Sequence, residues 1–290
     1  NPDGTLAPAA PYIIRGMTWS PASRTTNTTT TDPNNAAVRR PEFGLWYLTD
    51  IPLLKAMNVN TVRLYLDFGI TGSEVTLGLR ILDELYRNGV MVIMTVDNAV
   101  NDTGRINWVV SSYKNHPAIL MWSLGNEWNI NRYYGVAASV LDAAQRTQNA
   151  AALIKSLDTV HPVVSSYGEI NFGGLETQLA ATQNYVNNVC PSVDVWGLNL
   201  YRGQTFTNLW SQWASLTTKP MFIGEFGVDA YETGSGTVNQ AVQAQWDVSL
   251  WNDIARNLSA KDPAKVGLGG TVFEWNDEWW KVSPPGSQQT

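Results

Sequence analysis

Eight short β-rich runs follow one another along this chain, and each of the first seven is succeeded by a longer, helix-like stretch. The strands are expected at Tyr12–Trp19, Thr61–Phe68, Val90–Asp97, Ile119–Gly125, Val163–Tyr167, Val193–Tyr201, Pro220–Phe226 and Gly270–Trp275. The helices are expected at Trp46–Met57, Glu74–Asn88, Arg105–Lys114, Tyr134–Asp158, Glu176–Val189, Leu209–Ser215 and Val238–Ala260. A βα rhythm sustained over about 250 residues predicts an α/β fold, a single (β/α)8 TIM barrel. A doubly wound sheet is the competing architecture, but the glycine-rich phosphate turn expected after its first strand is missing.

On this reading residues 1–290 form one catalytic domain with short tails at about 1–11 and 283–290. The Thr/Asn/Pro-rich stretch Ser20–Gly44 is expected as a long loop on the C-terminal face of the barrel.

Composition closes off several functions. A net charge of −6 and a pI near 4.9 give no basic face for nucleic acid or for an anionic membrane. No apolar run approaches the roughly 20 residues of a membrane helix. Cys190 is the only cysteine, and His116 and His161 are the only histidines, so neither a zinc spacing nor a Ser/His/Asp triad is supported. No metal and no cofactor is expected, and the chain is expected to act as a monomer. The sequons at Asn27, Asn101 and Asn257 are short patterns that arise often by chance.

The chemistry is expected at two strand ends. Side chains alternate faces along a strand, so Met121, Ser123, Gly125 and Glu127 share the inner side of strand four, against Leu120, Trp122 and Leu124 outside. The same parity groups Arg63, Tyr65 and Asp67 in strand two, and Asn199 with Tyr201 in strand six. Strand seven, "PMFIGEFG", ends its apolar run in Glu225. Glu127 and Glu225 would then face each other across the rim where barrel enzymes keep their catalytic groups. Two carboxylates flanking one bond are what glycoside hydrolysis requires.

"GNEWN" and "IGEFG" resemble the paired signatures of the clan A glycoside hydrolases, retaining (β/α)8 enzymes, and the resemblance spans nearly the whole chain. It implies Glu127 as acid/base, Glu225 as nucleophile and Asn126 as a contact to the sugar 2-hydroxyl. It implies Arg63 as the partner that keeps Glu225 ionised, Tyr201 as a hydrogen-bond donor to Glu225, and Trp275 as a floor for the sugar. Within the clan, "NVNTVRLY" resembles the β-1,3-glucanosyltransferases, "NHPAILMWSLGNE" the family 2 exo-β-glycosidases, and "GEFG" the family 5 endoglucanases. The β-sandwich domains of family 2 and the cysteines of the glucanosyltransferases are lacking.

The expected substrate-binding residues are Asn126, Arg63, Tyr201, Trp128, Trp275, Trp279, Asn199 and Tyr65. Trp122, Trp196, Trp246 and Trp251, inside elements, are expected to be structural. Glu169, Glu232, Glu274 and Glu278 are rival carboxylates. The expected activity is cleavage or transglycosylation of a β-linked glucan, foremost β-1,3-glucan, by a two-glutamate double displacement. An exo-acting β-glycosidase is the alternative, and a non-catalytic carbohydrate-binding barrel is more remote. A saccharide is the expected partner, and secretion or cell-surface placement follows only from where polysaccharides are found.

Overall fold

The computed structural model describes residues 11–22, 36–98, 100–232 and 234–276. Eight parallel strands close into a barrel: β1 (Ile14–Thr18), β2 (Thr61–Arg63), β3 (Met91–Asp97), β4 (Ile119–Leu124), β5 (Val163–Tyr167), β6 (Val195–Asn199), β7 (Met221–Phe226) and β10 (Gly267–Val272). Closure is made by β1, which pairs with β2 on one side (Gly16 opposite Thr61) and with β10 on the other (Gly16 opposite Thr271). The intervening strands β8 (Tyr231–Glu232) and β9 (Thr237–Val238), absent from the sequence expectation, form a small antiparallel hairpin after β7.

The helices lie between the strands: α1 (Ala36–Ala56), α2 (Gly72–Arg87), α3 (Thr103–Tyr113), α4 (Trp128–Asn131), α5 (Val140–Leu157), α6 (Leu179–Asn184), α7 (Leu209–Leu216) and α8 (Gln240–Arg256). Their starts follow local chemistry. Thr71 and Glu74 form a reciprocal capping box that begins α2 two residues before the expected Glu74. Ser139 accepts a bond from the Asp142 backbone N–H to start α5.

The expected loop Ser20–Gly44 is corrected in its last part, where residues 36–44 are the opening turns of α1. Pro41 and Gly44 interrupt the apolar period there, so the pattern hid the helix. Packing explains the glycine: a Cβ at Gly44 would stand 2.7 Å from Leu77 Cδ2, so α1 and α2 meet closely at this point. Residues 23–35 and the two expected tails lie outside the described residues, apart from residue 11.

Two apolar layers hold the barrel. The larger lies between strands and helices and includes Val62, Leu64, Trp122, Leu124 and Trp196. The smaller plugs the interior with Ile14, Ile93, Met121, Val164, Val195 and Phe222, one from each of six strands. Two residues further along those strands the inward positions become Thr95, Ser123, Ser166, Gly197 and Gly224. That change from bulky to small or polar opens room for the guanidinium of Arg63, which is 1% exposed.

A candidate active site at the rim of the barrel

Arg63 is the centre of the polar layer. Its Nη1 donates to Glu225 Oε1 at 3.0 Å, to the Gly224 carbonyl at 2.7 Å and to Asn199 Oδ1 at 3.2 Å. Its Nη2 donates to Asn126 Oδ1 at 2.7 Å and to Ser166 Oγ at 2.9 Å. One side chain from β2 therefore fixes groups from β4, β5, β6 and β7. Gly224 is required beneath it, because a Cβ there would lie 2.8 Å from Asn199 Oδ1.

Both oxygens of Glu225 are occupied. Tyr65 Oη donates to Oε1 at 2.5 Å and Tyr201 Oη donates to Oε2 at 3.0 Å. Burial and the neighbouring Glu225 charge push the pKa of each phenol well up, so both stay protonated and act as donors. Burial acts to lower the pKa of Arg63, but Tyr65 and Glu225 outweigh it and the net shift is upward. An ion pair so deeply placed requires this many hydrogen bonds to offset desolvation of its charges.

Glu127 is presented differently. β4 ends at Leu124, and Gly125 turns the chain with φ +66°. Glu127 itself holds φ 52°, sparsely populated for a residue with a side chain, while its N–H donates to the Ser166 carbonyl at 3.0 Å. Its Oε1 accepts from Asn199 Nδ2 at 3.2 Å. Asn199 thus spans the two carboxylates, bonded directly to Glu127 and through Arg63 to Glu225.

The structure brings together Glu127, Glu225, Asn126, Arg63, Tyr65, Asn199 and Tyr201. It removes Trp128 from the cleft, a correction to the expected sugar contact. That indole is fully buried, donates to Ser165 Oγ at 2.9 Å and packs among Tyr133, Tyr167, Tyr185 and Trp196. The reason is local: the left-handed turn ends strand parity, and Trp128 opens the short helix α4 with its side chain turned inward. Trp275 is half-buried against the large apolar layer, with a hydrogen bond to Asp50, which also accepts from Trp19 Nε1 at 2.9 Å. Trp279 lies outside the described residues, as do Glu278 and Trp280.

Phe273 packs against the clamp on Glu225, its ring edge-on to Tyr65 at 6.2 Å. The sequence expectation in this strand was Trp275, and Phe273 was not among the expected site residues. Trp246, expected as a structural residue, joins Phe273, Tyr201, Asp229 and Gly227 around a cavity of about 360 Å³. Glu169 is paired with Arg202, and Asp67 with Arg40 and Arg105, so these acids serve ion pairs at the rim. Among the described residues no cluster of His, Cys, Asp and Glu is arranged to hold a metal ion.

A closed parallel barrel with two glutamates at the ends of β4 and β7, one clamped by an arginine and two phenols, defines the class as a glycoside hydrolase barrel. More particularly, the chain belongs to family 2 of the glycosyl hydrolases: the model of that family's TIM-barrel domain matches residues 83–253. Among curated proteins none matches the chain in sequence. Solved structures share the fold. A β-D-glucuronidase from Dictyoglomus thermophilum aligns at TM-score 0.53 and 17% identity, covering 79% of this chain and 40% of its own. A family 2 β-galacturonidase from Eisenbergiella tayi, bound to galacturonate, aligns at 0.55 and 17%, covering 83% and 42%. The AHE enzyme from Alicyclobacillus herbarius aligns at 0.59 and 12%, covering 82% and 78%. The chain thus spans about two fifths of the length of the first two.

Proposed function

We propose that this barrel is the catalytic unit of an exo-acting β-glycosidase that works with retention through a covalent glycosyl-Glu225 intermediate. The observation that carries the reading is the clamp on Glu225, which receives donors on both carboxylate oxygens and sits one amide away from Glu127. The expectation of β-1,3-glucan cleavage finds no support in the family or in its structural neighbours. Those described as a β-glucuronidase and a β-galacturonidase favour the exo reading.

In the first step a Glu225 oxygen attacks the anomeric carbon while the Glu127 carboxyl gives its proton to the departing glycosidic oxygen, and the carbon–oxygen bond to the leaving group breaks. In the second, Glu127 as carboxylate takes a proton from water, the water oxygen bonds to the anomeric carbon, and Glu225 departs as a carboxylate. Arg63, Tyr65 and Tyr201 stabilise that charge each time it reappears. Asn126 has its Oδ1 committed to Arg63 and to Asn199 Nδ2 at 3.0 Å, leaving Nδ2 as the end that donates to the sugar 2-hydroxyl.

The test is trapping with activated 2-deoxy-2-fluoro-β-glycosides, followed by peptide mass spectrometry, with product configuration read by proton NMR. A glycosyl adduct on Glu225, a β-configured first product and release of single sugars from oligosaccharides are expected. An inverted product, or an adduct on another residue, would overturn the assignment. A ladder of oligosaccharides in place of monosaccharide would restore the endo reading.

A further inference from the structure

The cavity beside the catalytic rim is built from the β6–β7–β10 arc: Tyr201 and Gly203 after β6, Gly227, Val228 and Asp229 after β7, Phe273 after β10, and Trp246 from α8. It takes no residue from β4, the strand that carries Glu127. Its wall is continuous with the nucleophile's clamp. Tyr201 spends its hydroxyl on Glu225 Oε2 yet leaves 55% of the residue exposed. Phe273 rests edge-on against Tyr65, whose hydroxyl holds Oε1. Whatever fills the cavity therefore lies against Tyr201, the side chain that holds Glu225 Oε2.

The lining joins aromatic surface to a carboxylate, the charged side chain among the described lining residues. Aromatic faces suit the C–H face of a pyranose, and a carboxylate accepts hydroxyl hydrogens. A carboxylate here would also repel a second one. The segment carrying Asp229 is held from both sides, with Gln243 Nε2 donating to the Val228 carbonyl at 3.1 Å and the Asn239 N–H donating to the Ala230 carbonyl at 2.6 Å. The β8–β9 hairpin follows directly, so Asp229 projects from an anchored turn.

Resting on the glycosidase reading above, we propose that this cavity is the glycone-side subsite for a neutral sugar. Trp246 supplies its stacking wall, and Asp229 accepts the sugar hydroxyls and disfavours uronic acids. Glu127 protonates the leaving group on the β4 side, so the cavity on the nucleophile's side receives the end of the covalently bound sugar that is remote from the bond being broken. The preference for neutral sugars sets this chain apart from the glucuronidase and galacturonidase among its structural neighbours.

The test uses the whole chain with 4-nitrophenyl β-glucoside, β-galactoside, β-mannoside and β-glucuronide. A neutral glycoside is expected to give the highest kcat/KM. Trp246→Ala should raise its KM about tenfold with kcat little changed. Asp229→Asn, at an exposed position where folding is not at stake, should lower kcat/KM for the neutral glycoside roughly tenfold and narrow the gap to the glucuronide. Preference of the unaltered protein for the glucuronide, or unchanged KM and selectivity in both variants, would overturn the proposal. Binding separates this proposal from the catalytic one: Glu225→Gln protein is titrated with laminaribiose, cellobiose and glucuronic acid by calorimetry. Heat from a neutral disaccharide that disappears on adding Trp246→Ala supports the subsite even if no glycoside is turned over. No Trp246-dependent binding overturns it even if Glu225 is labelled.

Discussion

Around Glu225 three side chains, one at the end of β2 and two just beyond β2 and β6, donate to both carboxylate oxygens, whereas Glu127 takes a bond of 3.2 Å from Asn199 and stands on a left-handed backbone turn. The difference matches the work proposed for each. A nucleophile must stay ionised, keep its place and depart as an anion, and an arginine with two phenols serves all three needs. An acid/base must gain and lose a proton in each turnover, and a ring of cations would hold it permanently ionised. The strain at Glu127 is local and backbone-based, while the order at Glu225 is carried by side chains.

The largest test of that contrast is removal of each carboxylate. Glu225→Ala should lower kcat on the order of 10⁴-fold or more for every glycoside, measured by steady-state kinetics. Glu127→Ala should cost about 10²–10⁴-fold on alkyl glycosides but spare the first step with 4-nitrophenyl leaving groups, and azide should restore turnover by supplying a nucleophile that needs no base. Equal loss on both leaving groups would erase the difference in roles.

Loosening the clamp comes next. Tyr201→Phe removes one donor to a charged oxygen, and about 10–100-fold in kcat should follow, with the melting temperature almost unchanged. A variant that kept full activity would show that Tyr201 merely fills space.

Trp128 offers a stability counterpart. Trp128→Ala should destabilise the fold by about 3–5 kcal/mol in denaturant melts and leave KM of the remaining folded protein unaltered. A raised KM with normal stability would return this residue to the cleft.

The smallest effect concerns Asp247, a carboxylate on α8 whose buried Oδ1 has no partner. Burial raises its pKa to about 6. Between the ordinary carboxylate range and that value the native state keeps a proton that the unfolded chain loses, so stability falls as pH rises through the window. Asp247→Asn should therefore melt higher than the unaltered protein at pH 8 and match it near pH 4. Parallel melting curves across pH would show that solvent already satisfies the group.

Much of the rim was legible because a strand has a period of two. Arg63 and Asn199 followed from counting along apolar runs, and Tyr65 kept the same parity just beyond β2. Glu225 was marked only as the carboxylate ending an apolar run, and a register shift between β6 and β7, not alternation, brings it to the inner side next to Gly224. What parity could not reach begins where the strand ends. Gly125 and Glu127 adopt positive φ, and the next residue, Trp128, swings into the core although its neighbour points to the cleft. Trp246 was expected to be structural because it lies inside a helix, and the turn after β7 brings Asp229 to the same cavity.

The βα alternation by itself determined a parallel sheet covered by helices, since each apolar strand must be covered and parallel neighbours require crossovers. Eight such units without a phosphate turn pointed to a barrel; the pairing of β1 with β10 that closes it belongs to the tertiary structure. The small residues above the interior plug likewise determined that one long cation could lie buried at its centre. Which tryptophan packs and which meets a ligand was decided only in the tertiary structure. An indole is equally suited to either environment, and the path of the chain after each strand places it in one or the other.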